Sequence, residues 1–104
     1  MSDVRVVLVT CPTGELAAEL ARSVVSAGLA ACANILPGVR SMYRWEGEVH
    51  DETEVLMIIK TTAPLLVSLE EAILAAHPYD TAEFIALQPE HVAPRYAAWV
   101  CGGG

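Results

Sequence analysis

The sequence predicts one α+β domain, and three observations predict it. Apolar residues alternate or run continuously in four separate stretches, the pattern of strands, and recur at spacings of three and four in others, the pattern of amphipathic helices. These stretches follow one another as strand, helix, strand, strand, helix, strand, with a short helical appendix. At 104 residues and 54% hydrophobic content, the chain is long enough for one sizeable core and too short for two domains. Residues 1–104 therefore form a single unit, ordered over about 4–100, with a flexible tail at 102–104.

Residues 4–9 are almost continuously apolar, as in a central strand buried on both faces, and Cys11-Pro12 ends it. Thr13 caps a helix that carries Leu16, Ala17, Leu20, Ala21, Val24 and Val25 on one face, with Glu15 near its positive end and Gly28 past its last turn. Residues 31–51 then read as one long strand kinked at Pro37-Gly38. Beyond the kink, Val39, Ser41, Tyr43 and Trp45 lie on one face, and Arg40, Met42, Arg44 and Glu46 on the other. Glu46-Gly47-Glu48 supplies a residue tolerant of positive φ, and residues 54–61 return as the second arm of a hairpin whose first arm reaches roughly 50 Å.

A second helix starts near Thr62, with Pro64 in its first turn and Leu65, Leu66, Leu69, Ala72, Ile73 and Ala76 as its apolar face, and His77-Pro78 stops it. Residues 83–87 form a short last strand, and residues 94–100 a short C-terminal helix. Two right-handed crossovers around a central hairpin give the split βαβ, ferredoxin-like sandwich, with both long helices on one sheet face. The other face, and an overhanging ribbon that carries Val39, Tyr43, Trp45, Val49, Val55 and Met57, require a second copy as cover.

Composition narrows the partners. A net charge of −7, with only six Lys and Arg, excludes sequence-independent binding to nucleic acid or to anionic membrane. Apolar runs are interrupted well short of the roughly 20 residues that span a bilayer, and the opening MSDVRVV lacks signal-peptide architecture, so a cytoplasmic location is expected. Cys11, Cys32 and Cys101, odd in number and widely spaced, suit a reducing compartment better than a disulfide framework.

The stretches CANILPGVRSMYRWEGE, EVLMIIKTT, HPYDTAEFIAL and RYAAWV, collinear across nearly the whole chain, resemble the CutA divalent-cation tolerance family. The resemblance implies a ferredoxin-like subunit in a tight homotrimer, similar in architecture to PII signalling proteins, with the interface at Tyr43, Arg44 and Trp45. It also implies a role in tolerance of copper and other divalent cations in bacteria, a link to acetylcholinesterase anchoring in animals, and no enzymatic activity. Some members carry a histidine pair before Pro-Tyr and a cysteine within the first strand as proposed copper ligands. Here those positions read Ala76-His77 and Val9, with Cys11 displaced by two, so only His77 carries over. Ala82 stands where many members have proline.

The candidate metal ligands are therefore His77, Cys32 and Cys11, for copper or another divalent cation. Cys32 lies on an edge strand between small residues, where its thiol can meet a subunit boundary or pack as plain core. Cys11 precedes a helix N-terminus, whose dipole would lower its pKa. His77 closes a helix, where a histidine can also simply satisfy the last carbonyls. A second cluster, Tyr79 and Glu83 with Lys60 near, outlines a cleft for a metal or a small anion, the site of a PII-like sensor or scaffold. The acidic run Glu46, Glu48, Asp51, Glu52 and Glu54 reads as a solvated hairpin tip or as partners for Arg40 and Arg44 of a neighbouring copy. No GxSxG, HExxH or Gly-rich phosphate loop is present.

Overall fold

In β1 (Val4–Cys11), Val7, Val9 and Cys11 are fully buried, while the intervening Val6, Leu8 and Thr10 are only half covered. That difference sets the layers of the computed structural model, which describes residues 2–104. β1 pairs antiparallel with β3 (Glu48–Thr62) on one side and with β4 (Ile85–Leu87) on the other. β2 (Cys32–Trp45) joins the far edge of β3, which gives one sheet in the order β2-β3-β1-β4. This is the ferredoxin-like arrangement that the order of elements predicts.

Helices α1 (Gly14–Ser26) and α2 (Leu66–Ala76) cover the face of Val7, Val9 and Cys11. The core there joins Val55, Met57 and Ile59 of β3 to Ala17, Leu20 and Val24 of α1 and to Leu69 and Ile73 of α2. Thr13 Oγ1 accepts the Leu16 N–H at 3.2 Å, the predicted N-cap. On the opposite face, α3 (Pro94–Cys101) lies across one end of β1 and β3, with Tyr96 against Cys32. The rest of that face is open: Leu36, Ile85 and Leu87 are 39%, 47% and 46% exposed. No helix among the described residues is long and apolar enough to cross a membrane.

The structure differs from the sequence reading at several boundaries. β3 starts at Glu48, six residues before the predicted position 54, so the hairpin is paired to its tip, with Trp45 opposite Glu48. β3 also continues through Thr62, opposite Val4, where the reading places the start of a helix. Thr62 is extended, the Ala63 N–H bonds Asp3 O at 2.8 Å, and a single 3-10 turn, Ala63–Leu65, takes up Pro64 before α2 begins. Glu83 and Phe84 stand outside the last strand. The first arm expected to reach 50 Å lies within a molecule whose longest dimension is 44 Å, because β2 is only 14 residues long. Residues 102–104 return three backbone N–H bonds to the last turn of α3, to Ala98, Val100 and Trp99.

Candidate functional site

The site lies beside the register shift of the hairpin. Between Leu36 and Val39 the pairing of β2 with β3 shifts register, and Gly38 takes a φ of 73°, open to glycine at little cost. Glu54 of β3, opposite Val39, begins the overhanging part of the ribbon. Its side chain is not a solvated tip residue: Glu54 is 8% exposed, and its Oε2 accepts the Tyr79 hydroxyl at 2.9 Å. Burial first, then this bond to a carboxylate, pushes the Tyr79 phenol up.

Glu54 and Tyr79 line a groove of about 640 Å³ between the hairpin arm and the loop that follows α2. Thr10 and Glu83 also line it, with Arg40, Met42, Tyr43 and Trp45 of the hairpin arm. Burial, and after it the charge of Glu54, raises the Glu83 carboxyl above its ordinary value. Arg40 grips Asp51 of its own chain through two bonds, Nε to Oδ1 at 2.9 Å and Nη2 to Oδ2 at 2.6 Å, which lowers the Asp51 pKa. Tyr43 donates to Glu52 and stacks on His50, with ring centroids 5.1 Å apart.

His77 pins the loop. Its Nε2 lies 2.8 Å from the Thr10 carbonyl oxygen, and its Nδ1 accepts the Tyr79 N–H at 3.1 Å. A carbonyl can only accept and a backbone N–H can only donate, so the ring is neutral, protonated on Nε2, with both nitrogens engaged. The partner is a carbonyl of the neighbouring strand, not the last carbonyls of α2. Cys11 is equally committed: its thiol is buried 3.5 Å from Met57 Sδ, and its pKa is pushed up to about 11 by burial and then by Glu54. The lowering expected from the α1 dipole is overridden by the cost of a buried thiolate.

Cys32 stands at the other end of the sheet. It pairs with Lys60, which in turn pairs with Val6, whereas His77 meets β1 at Thr10. Lys60 therefore stands apart from Tyr79 and Glu83, and its ammonium is given to Asn34 Oδ1. The half-buried Cys32 sulfur lies 3.7 Å from Tyr96 Oη. The structure thus brings Tyr79, Glu83 and Glu54 together, sets Cys11 and His77 behind them in the packed layer, and separates Cys32 and Lys60. Among the described residues, no three His, Cys, Asp or Glu side chains come together in a metal-ligating group. Sequence reasoning missed Glu54 as a buried group; its position at the head of the apolar run EVLMII is the one signal for it.

Known proteins resemble the chain over almost its whole length. The model of the family described as CutA1 divalent ion tolerance protein matches residues 5–102. Protein CutA of Mus musculus is 45% identical over 98 residues, 94% of this chain. The chloroplastic Protein CutA of Arabidopsis thaliana is 46% identical over 95 residues, 91% of this chain. The chain spans about half the length of these two relatives, 55% and 52%. The solved structure of a divalent cation tolerance protein from Thermus thermophilus superposes with a TM-score of 0.93 at 40% identity, covering 96% of this chain and 97% of that one.

Proposed function

The chain belongs to the CutA1 divalent ion tolerance family, and from that premise we propose that it binds copper and related divalent cations as a homotrimer and so supports tolerance of them. The observation that supports the ligand choice is the uneven fate of the three candidate donors. Met57 closes off Cys11, and both nitrogens of His77 are engaged. Cys32 keeps a partly exposed sulfur with a second donor atom, Tyr96 Oη, beside it. Thiolate sulfur favours copper and other soft ions.

In this reading the trimer forms through Tyr43, Arg44 and Trp45 and through the open sheet face, and the half-exposed apolar side chains that ask for cover there support it. The role is binding, with no catalytic turnover, no nucleic acid and no membrane partner. A cytoplasmic location fits three unpaired thiols. The reading is tested by titrating the reduced protein with copper and zinc against a chelator of known affinity, beside Cys32→Ala and His77→Ala. At least tenfold weaker copper binding in Cys32→Ala, with His77→Ala near wild type, is expected. Millimolar binding that is indifferent to Cys32 would sink it.

The groove favours a second reading, a PII-like sensor or scaffold that holds a small metabolite in an intersubunit cleft. Its volume of about 640 Å³ falls in the range of small-molecule pockets, and Tyr79 and Glu83 line it.

A further inference from the structure

We propose that Lys60 anchors the contact between copies of this chain, and that its ammonium is met by the Glu48 carboxylate of the next copy, carried in on the hairpin tip beside Trp45. The inference rests on the homotrimer reading and deepens it by naming the charged pair that sets how the copies meet.

Lys60 stands where an interface would strand it. Residues directly opposite in antiparallel strands share a sheet face, so Leu87, Val6, Lys60 and Cys32 form one row across the open face. The neighbouring row, Ile85, Leu8, Ile58 and Asn34, carries no charge. The Lys60 ammonium has three donors, and Asn34 Oδ1 takes one of them. That neutral acceptor suffices while water reaches the half-buried side chain. Once another copy covers Ile85 and Leu87, the ammonium loses its water and needs an anion in exchange.

The chain itself supplies that anion. The extra residue at the register shift lies on β2, so the alternation of β3 runs unbroken from Lys60 to the tip and puts Glu54, Glu52 and Glu48 on the same face as Lys60. Tyr79 donates to Glu54 and Tyr43 to Glu52. Glu48 is left exposed, with no hydrogen-bond donor among the described residues, directly opposite Trp45. From Glu54 to Glu48 the ribbon extends roughly 20 Å, more than the roughly 15 Å across four strands, so the tip can lie over a neighbouring sheet. It brings an indole and a carboxylate side by side to a row that holds Val6 and Leu87 beside an ammonium, so apolar meets apolar and opposite charges meet. Glu15 and Glu19 of α1 and Glu70 and Glu71 of α2 belong to the helical layer on the other side of the sheet and cannot take part. Tip and row are different patches of one chain, so the contact runs head to tail and repeats until a ring closes.

The test mixes isotope-labelled and unlabelled full-length protein and follows subunit exchange by native mass spectrometry, for the parent, Lys60→Met, Lys60→Glu, Glu48→Lys and the double reversal Lys60→Glu with Glu48→Lys. Each single variant is expected to exchange at least tenfold faster than the parent, and the double reversal within threefold of it, because the pair is rebuilt with its signs exchanged. A double reversal more than threefold faster than the parent would overturn the pair and leave the trimer standing. Lys60→Met keeps the test open where a reversed charge prevents folding. An apolar side chain on an apolar face slows exchange, or leaves it unchanged, if Lys60 has no anion opposite, and that result too would overturn the pair. A parent of one chain mass would overturn the trimer reading along with it.

Discussion

At the scale of single residues, the same side chain changes meaning with what stands across from it. Glu83 shows this through pH. Burial, reinforced by Glu54, raises its carboxyl in the folded state, so folding favours the protonated form. The stability that Glu83 contributes is whole below its ordinary value of 4.5 and is lost as pH rises through the higher folded-state value. Glu83→Gln, which stays neutral, is expected to melt above the parent near neutral pH and level with it in acid. Thermal melts of the two proteins at both conditions check this, and a gap that does not depend on pH would refute it. Cys11 and His77 were legible in the sequence as soft donors, but their engagement was not. Nothing within either local stretch tells that Met57 or the Thr10 carbonyl will stand opposite.

At the scale of elements, local chemistry was read well wherever it sufficed. The two-residue turn at the hairpin tip places Glu46 at a φ of 50° and Gly47 at 80°, both positive, as the favoured hairpin turn requires. Gly47→Val puts a β-branched residue there and is expected to cost about 1–2 kcal/mol, read as a drop in the denaturation midpoint at unchanged slope. An unchanged midpoint would mean that the tip contributes nothing to folding. The Thr13 cap, the α1 face and the kink at Pro37-Gly38 were likewise visible, because each depends on neighbours in sequence. The start of α2 was not. Pro64 suits both a helix start and a 3-10 turn, and only the cross-strand partners of Thr62 and Ala63, Val4 and Asp3, extend the strand past the expected boundary.

At the scale of the whole molecule, the order of strands and helices was enough to predict the sheet and its two faces, since a split βαβ topology leaves few alternatives. It could not place the groove, which depends on where a register shift aims one ribbon. The open face carries the assembly prediction. Leu87, 46% exposed beside Val6, is central to it, and Leu87→Lys is expected to shift the mass in light scattering from three chains towards one. A parent protein already of one chain mass, or a variant that stays at three, would overturn this placement of the interface. The strand order also sets a sequence of events in time. β2 and β3, joined by two residues, can zip within microseconds, whereas β1 must wait for partners from the middle and the far end of the chain. The strand made first is therefore sealed late, and until then the hairpin presents a bare inner edge to every other copy in solution.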